Sequence, residues 1–272
     1  MISETRSNDS PPARGRISLV GLGPGSERQM TPEARQAILE AEVIVGYKTY
    51  LKLVAELIGG KEVVGSGMRE ELPRCALACR RAAEGARVAL ISSGDAGVYG
   101  MAGPAFELLL QSGLLTRVEV VVIPGITALL AAAARVGAPL THDFCAISLS
   151  DLLTPWEVIE KRLRGAAMAD FVTALYNPRS VRRQRQLDRA REIFLEHRAP
   201  TTPVAIVTAA YRPGESVLLT DLASLDRHPV GMQTTVIIGN TSTFSREGVM
   251  VTPRGYGNKY SLDAADLTEE KP

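Results

Sequence analysis

Short apolar runs that end in glycine-rich turns, most of them followed by a helical pattern, recur through the first half of this chain. In the clearest example the run 87–91 precedes residues 92–103, which contain four glycines and Asp95. Strands that alternate with helices predict an α/β fold with a largely parallel sheet. Ligands bind such sheets outside the carboxyl ends of the strands, where glycines let the backbone approach closely. We therefore interpret 92–103 as a ligand-binding loop whose carboxylate accepts hydrogen bonds or attracts a cation.

A second glycine-rich turn, 21–25, follows the strand predicted over 16–20. A dinucleotide-binding G-x-G-x-x-G motif needs glycine where this chain has Ser26, and it needs a helix that begins at once. The better helix start lies further on, at Thr31 as N-cap and Pro32 as the first helical residue. The turn therefore favours a ligand that lacks a pyrophosphate, and a nicotinamide-dependent oxidoreductase is the alternative.

Composition and charge limit the classes of partner. The chain has 272 residues, a formal net charge of +1 and three cysteines. This charge disfavours a nucleic-acid binder that relies on a globally basic surface, and the few cysteines indicate a reducing compartment, so we expect a cytoplasmic protein. Cys75 and Cys79 share a helical face and are expected in the core, without a metal site. No run is apolar enough to predict a membrane span.

Breaks in the pattern predict the domain organisation. Residues 1–15 are polar and are expected to form a disordered tail rather than a targeting peptide. Residues 137–141 interrupt the helical pattern and separate an N-terminal α/β domain, 16–138, from a C-terminal α/β domain, 142–252, with a tail over 253–272. Strands come more densely in the second half, which predicts antiparallel pairing there.

The most basic segment, 179–198, carries Leu187, Ala190 and Phe194 at helical spacing. This spacing predicts an amphipathic helix on which most arginines form a solvated face. Aromatic residues do not alternate with these arginines, as a single-stranded nucleic-acid site would require. An RNA-binding module is therefore only the non-enzymatic alternative.

Three glycine motifs, in this order and spacing, resemble those of the tetrapyrrole methyltransferases: 21–25, Gly94-Asp95 before Tyr99-Gly100, and 124–126. The resemblance covers about residues 16–251. It implies the two-domain α/β fold of that family (class III), with a mainly parallel N-terminal sheet, a mixed C-terminal sheet and the active site in the cleft between them. It also implies S-adenosylmethionine as methyl donor and a homodimer.

One branch of that family, the precorrin-3B C17-methyltransferases of cobalamin biosynthesis, is the most similar. The segments 46–50, 142–144, 149–156 and 175–179 carry this likeness, together with Ala96 where most members of the family have proline. The branch methylates precorrin-3B at carbon 17 and contracts the ring to precorrin-4. A sibling methyltransferase acting on another tetrapyrrole carbon is the closest alternative, and neither a nucleic acid, a membrane nor an iron–sulfur cluster is expected.

The resemblance also implies roles for individual residues. Those expected to contact S-adenosylmethionine are Pro24, Gly94, Asp95, Ala96, Val98, Met101, Thr127, Ala128, Tyr176, Asn177, Ala210 and Thr235. Met68, Arg69 and Arg179 are expected to bind the substrate, the arginines through its carboxylates. Ring contraction calls for a general base or a hydrogen-bonding residue, for which Ser150, Asp151 and Thr154, or Tyr47 with Lys48, are candidates. His142 and Asp143 are further alternatives.

Overall fold

The computed structural model describes residues 15–262, which separate into two compact units divided between Ala128 and Leu129. Most of the first predicted tail and the last part of the second lie outside the described residues. Helix-forming residues 128–136 belong almost wholly to the second unit. The sequence-based boundary at 138–142 falls where that helix ends, and it stays a prediction.

The first unit is built on a parallel sheet of five strands. In chain order the strands are β1 (Arg16–Gly21), β2 (Val43–Tyr47), β3 (Glu62–Ser66), β4 (Arg87–Ser92) and β5 (Glu119–Ile123). They lie side by side in the order β3-β2-β4-β1-β5. The central strands are buried on both faces, as parallel strands usually are: the successive residues Leu19 and Val20 of β1, and Leu90 and Ile91 of β4, have no exposed surface. The predicted parallel α/β sheet is confirmed.

Helices pack against this sheet. They are α1 (Pro32–Glu40), α2 (Lys48–Leu51), α3 (Glu71–Ala83) and α4 (Ala102–Gln111). The hydroxyl of Thr31 accepts a hydrogen bond from the N–H of Ala34 at 3.1 Å, so the predicted N-cap of α1 is formed. Cys75 and Cys79 lie buried on the inner face of α3, as expected for core residues.

The second unit contains a mixed sheet and a small additional sheet. Its elements are α5 (Ala128–Val136), β6 (Gly137–Ala138), β7 (Phe144–Ser148), α6 (Trp156–Met168), β8 (Val172–Tyr176), α7 (Gln186–Leu195), β9 (Pro203–Thr208), β10 (Ser216–Asp221), β11 (Thr234–Ile238), β12 (Phe244–Arg246) and β13 (Val249–Val251). The strand order of the larger sheet is β10-β9-β11-β8-β7. Of the neighbouring strands in it, β7 and β8 pair in parallel and the other pairs are antiparallel. The predicted mixed C-terminal sheet is confirmed.

The basic segment differs in part from its prediction. Helix α7 begins only at Gln186, because residues 178–185 form a loop in which Ser180 and Arg183 exchange backbone hydrogen bonds of 3.0 and 3.2 Å. Leu187, Ala190 and Phe194 are fully buried, as the helical spacing predicted. Arg183 is buried as well, so the expected solvated face does not extend to it.

Candidate active site

Three glycine-rich turns of the first unit meet at the carboxyl edge of its sheet. Gly21 ends β1, Gly94 follows β4 and Gly125 follows β5. A Cβ atom on Gly21 would lie 2.8 Å from the carbonyl oxygen of Gly94, and one on Gly125 would overlap that same oxygen. Glycine is therefore required here because the loops contact one another through their backbones.

The first two of these loops are also joined by hydrogen bonds. The N–H of Gly23 donates to the carbonyl oxygen of Gly94 at 3.0 Å, and the N–H of Gly94 donates to that of Gly23 at 2.8 Å. Both residues have left-handed backbones, with φ of 75° and 66°. The motifs that carry the family resemblance thus form one connected backbone structure.

Asp95 fixes two of the loops through its side chain. Its Oδ1 atom accepts hydrogen bonds from the N–H groups of Gly97 at 2.7 Å and Val98 at 3.1 Å, which folds its own loop. Its Oδ2 atom accepts one from the N–H of Gly125 at 3.0 Å, which joins that loop to the next. Both oxygens therefore have partners within the protein. Contact between Asp95 and a methyl donor stays a prediction.

The other residues expected to hold the donor in this unit surround the same edge. Pro24 and Ala96 are buried, and Thr127 and Ala128 are partly exposed. A Cβ atom on Gly94 would lie 3.5 Å from the Cα of Thr127 and 3.7 Å from the backbone nitrogen of Ala128. The structure therefore brings the predicted residues of the first, second and third motifs together.

Met101, which follows the second of these loops, contacts a buried arginine that the sequence analysis did not identify. The Met101 sulfur lies 3.5 Å from Nη1 of Arg74, and the Met101 N–H donates to the hydroxyl of Ser92 at 3.0 Å. Arg74 also donates to the hydroxyl of Ser66 at 2.6 Å and to the carbonyl oxygen of Gly67 at 2.8 Å. It thereby anchors the loop after β3.

The residues expected to bind substrate or act as base in this unit follow β2 and β3. The ring of Tyr47 lies edge-on to that of Tyr50, with 5.2 Å between the ring centroids. The centroid of the Tyr47 ring also lies 5.9 Å from the guanidinium carbon of Arg74. Lys48, Met68 and Arg69 are exposed, and Arg69 has a left-handed φ of 68°. A non-glycine residue held in that conformation is uncommon and is typical of functional loops.

In the second unit the predicted donor-binding residues also share one sheet edge. Tyr176 ends β8, Ala210 follows β9 and Thr235 lies at the start of the antiparallel strand β11. The hydroxyl of Tyr176 accepts a hydrogen bond from the N–H of Leu129 at 2.8 Å and so satisfies a free donor in the first turn of α5. Asn177 has a left-handed φ of 51°.

Two segments at that edge are joined by side-chain hydrogen bonds: 148–155, which starts at the last residue of β7, and 177–186, which runs from the end of β8 to the first residue of α7. We call them the polar loop pair. Asn177 donates to the hydroxyl of Ser148 at 3.0 Å, and Gln186 donates to Oδ2 of Asp151 at 2.8 Å. From the second of them, Arg183 donates to the hydroxyl of Ser150 in the first at 3.4 Å. The structure therefore places Ser150 and Asp151 together, at the edge that also carries Tyr176.

The remaining candidates have less specific surroundings. Arg179 pairs with the carboxylate of Asp188, so its guanidinium already has an anionic partner. The backbone N–H of Asp143 donates to Nδ1 of His142 at 2.8 Å. Thr154 is partly exposed in the polar loop pair. All site assignments stay predictions.

Two of the buried arginines that sequence reasoning missed, Arg74 and Arg183, differ in the signal they offered. Arg74 occupies the same helical face as Ala78 and Ala82, so an arginine at a core position of an amphipathic helix could have identified it. Arg183 lies in an irregular loop among other arginines, where no periodicity marks a buried position.

Burial shifts the pKa of two kinds of group. It raises the pKa of the Cys75 thiol to about 12, so this thiol is uncharged at neutral pH and does not act as a nucleophile there. Burial also lowers the pKa of Arg183, partly offset by the negative charge of Asp151. Between residues 15 and 262, no helix has the length and apolar character to cross a membrane, and no three metal-ligating side chains gather.

The family model described as Tetrapyrrole (Corrin/Porphyrin) Methylases matches residues 16–226. This chain belongs to that family. It is 50% identical, over 93% of its length and 47% of the relative's, to the cobalt-factor III methyltransferase of Priestia megaterium. It is 52% identical to the probable cobalt-factor III C(17)-methyltransferase of Salmonella typhimurium, over 88% of this chain and 99% of that protein. The precorrin-3B C(17)-methyltransferase of a Sinorhizobium species is 46% identical over 89% of this chain and 97% of that protein.

Solved structures of the family have the same fold. The methyltransferase CobJ superposes with a TM-score of 0.81 and 42% identity, over 88% of this chain and all of that one. A uroporphyrin-III C-methyltransferase from Thermus thermophilus, solved with S-adenosylhomocysteine, has a TM-score of 0.63 and 26% identity, over 83% of this chain and 97% of that one. The predicted tetrapyrrole methyltransferase fold is therefore confirmed.

Proposed function

We propose that this chain transfers a methyl group from S-adenosylmethionine to carbon 17 of precorrin-3B, or of its cobalt-bearing counterpart cobalt-factor III, with contraction of the macrocycle. The observation that carries the proposal is the 52% identity with the Salmonella protein, because it extends over 99% of that protein. The Priestia relative is twice as long as the matched region, so its whole activity is not transferred to this chain.

The carboxyl edge of the first sheet fits the methyl donor. Gly97 and Val98 are exposed in these loops and Gly125 is partly exposed. The positive φ values of Gly23, Gly25 and Gly94 favour glycine over residues with side chains in the turns. S-adenosylmethionine supplies an electrophilic methyl group on a sulfonium. Thr127 and Ala128, which are partly exposed, would contact it, while the buried residues Pro24 and Ala96 shape the loops and Asp95 keeps them in place for binding.

Positioning is the main task of the protein in such a displacement. The acceptor carbon of an electron-rich pyrrole is already nucleophilic, so no activated serine or cysteine is required. Alignment of the reacting atoms supplies about 7–11 kcal/mol of such a barrier. A network of backbone hydrogen bonds such as that around Gly94 suits this task, because it holds the loops without long flexible side chains.

Ring contraction requires loss of a proton from the hydroxyl of precorrin-3B, and we assign this step to Asp151. Its carboxylate is exposed, and Gln186 orients one of its oxygens through the 2.8 Å hydrogen bond. The other oxygen has no hydrogen bond to the described residues, so it is available to accept a proton. Tyr47 with Lys48 is the alternative, at the edge of the first sheet.

The test is a single-turnover incubation with methyl-labelled S-adenosylmethionine and each of the two tetrapyrroles, analysed by mass spectrometry and carbon NMR. The proposal requires one labelled methyl on carbon 17 and a contracted ring. Label on another carbon would identify a sibling enzyme and overturn the proposal. Comparison of the two rates decides between the metal-free and the cobalt-bearing substrate.

Two further measurements examine the parts of the proposal. S-adenosylhomocysteine should raise the melting temperature and NADP should not; the reverse would favour the oxidoreductase alternative. Asp151→Asn should leave methylation intact and block contraction, so the methylated, uncontracted macrocycle should accumulate. Normal contraction by this variant would remove Asp151 from the mechanism. The cytoplasmic location and the homodimer stay predictions. Size-exclusion chromatography tests the homodimer.

A further inference from the structure

Three arginines of the described residues are buried: Arg74, Arg183 and Arg198, with 5, 6 and 5% of their surface exposed. Removing a guanidinium from water costs free energy unless its charge is paired or its donors find acceptors. Each buried arginine therefore needs partners that compensate for the lost hydration.

Two of the three have such partners. Arg198 forms an ion pair with Asp170 at 3.5 Å and donates to the carbonyl oxygens of Phe171 and Gly239. Arg74 has no ion pair with any residue that the structure describes, but each of its three nitrogens donates, to Ser66, Gly67 and Met101. These two side chains connect parts of the fold, and each of their nitrogens faces a protein partner, which for Nε of Arg198 is the carboxylate of Asp170 in the ion pair.

Arg183 differs from both. Its Nε donates to the carbonyl oxygen of Asn177 at 2.9 Å, and its Nη1 donates to the hydroxyl of Ser150 at 3.4 Å. Its Nη2 has no hydrogen bond, and no carboxylate lies within 4.0 Å of the group, among the described residues. The result is a desolvated positive charge that is held in place but not paired.

The surroundings hold this charge rigidly at the carboxyl edge of β7 and β8. The polar loop pair is connected by the Asn177–Ser148 and Gln186–Asp151 hydrogen bonds, and the N–H of Leu149 donates to the carbonyl oxygen of Tyr176 at 2.9 Å. A guanidinium fixed in this way loses little conformational entropy when it binds an anion.

The same two loops expose apolar side chains to solvent. Leu153 is 99% exposed, Val181 95% and Leu152 65%. Large apolar side chains with so much exposed surface, in the same two loops as an unpaired cation, suit a ligand that combines an apolar body with anionic substituents. A tetrapyrrole with carboxylate side chains has this composition.

On the basis of the proposed function, we infer that Arg183 binds a carboxylate side chain of the tetrapyrrole substrate through Nη2. It is thus a substrate-binding residue in place of the neighbouring Arg179, which already pairs with Asp188. The carboxylate of Asp151 lies on the facing loop and repels an incoming anion. Its neutralisation should therefore strengthen binding, whereas loss of the Arg183 charge should weaken it.

The experiment compares Arg183→Gln with Arg182→Gln, which removes an exposed charge from the same loop. Arg183→Gln should raise KM for the tetrapyrrole about tenfold or more, as loss of a charge-assisted hydrogen bond predicts, with KM for S-adenosylmethionine unchanged. Arg182→Gln should leave both unchanged. Equal tetrapyrrole KM values for wild type and Arg183→Gln would overturn the inference.

A binding titration separates recognition from a structural role. A stable porphyrin polycarboxylate and its methyl ester are titrated by fluorescence against wild type, Arg183→Gln and Asp151→Asn. Arg183→Gln should weaken binding of the acid and not of the ester, and Asp151→Asn should strengthen binding of the acid. Equal weakening of both probes would show that Arg183 only supports the fold and would overturn the inference.

Two outcomes remain to be distinguished. If Arg183→Gln does not fold, Arg183→Lys is used, because it keeps the charge. Arg183→Lys should bind the porphyrin polycarboxylate more weakly than wild type but still in a salt-dependent manner. Unchanged binding would overturn the inference. If wild type methylates neither tetrapyrrole, the proposed function itself fails. If wild type methylates a tetrapyrrole and Arg183→Gln has the same KM for it, only the role of Arg183 is rejected.

Discussion

The carboxylate of Asp95 accepts a hydrogen bond from the backbone N–H of Gly125 at 3.0 Å, across thirty positions of the chain. This contact joins the loop after β4 to the loop after β5, while the other oxygen of the same carboxylate folds the loop to which Asp95 belongs. A residue that the family resemblance assigns to the methyl donor therefore has a structural role in the protein itself. Its effect on donor binding is expected to act through the loops.

Asp95→Asn should destabilise the first unit and weaken donor binding together. The amide nitrogen of asparagine is a donor, so at least one backbone N–H would lose its acceptor, at a cost of about 2 kcal/mol in unfolding free energy. Chemical denaturation and a titration with S-adenosylhomocysteine measure the two effects. Glu56→Gln, which alters an exposed carboxylate, is the control and should change neither. Weakened binding without any loss of stability would instead indicate direct contact with the donor.

Gly125→Ala should be strongly destabilising, although alanine adds only one methyl group. The new Cβ atom would overlap the carbonyl oxygen of Gly94, and backbone atoms cannot move aside as a side chain can. We expect a loss of about 3 kcal/mol, in the range of severe core overpacking. Gly103→Ala is the matched control, because its Cβ position in α4 has no atom of the described residues within 4 Å apart from its chain neighbours and its own helix backbone. That variant should be neutral or more stable by about 0.5–1 kcal/mol.

Tyr176→Phe should destabilise the second unit by about 1 kcal/mol, because the N–H of Leu129 loses its hydrogen-bond acceptor at the start of α5. Urea denaturation measures this loss. Tyr256→Phe, which removes an exposed hydroxyl, should have no effect. Equal stability of the two variants would show that solvent replaces the Tyr176 hydroxyl.

Cys75 should make the free energy of unfolding depend on pH in the alkaline range. Its pKa is about 12 in the folded protein against 9.0 for the ordinary thiol, so above pH 9.0 the unfolded chain loses a proton that the folded chain keeps. Stability should therefore fall as pH rises from 9.0 towards 12. Cys75→Ala should show a smaller decrease over the same interval in equilibrium denaturation. Parallel curves for the two proteins would contradict the assigned burial effect.

Local patterns explain which elements the sequence predicts well. The apolar runs at β1 and β4 and the Thr31–Pro32 start of α1 depend on neighbouring residues, and the structure has them where expected. The hairpin of β12 and β13 was not predicted. Its three-residue strands are too short to show a period, although Glu247 and Gly248 both adopt the positive φ that a two-residue turn requires.

The sequence alone determined the alternation of strands and helices, and with it the gathering of the glycine motifs at one edge of a parallel sheet, because parallel strands bring their carboxyl ends together. Only the tertiary structure decided how the polar side chains are used. Arg183 lies in a loop among other arginines, and the partners of Asp95 and Arg183 at Gly125 and Ser150 are far away in the chain. Burial and hydrogen bonding between such distant segments depend on how the strands are ordered, which no local pattern of residues records.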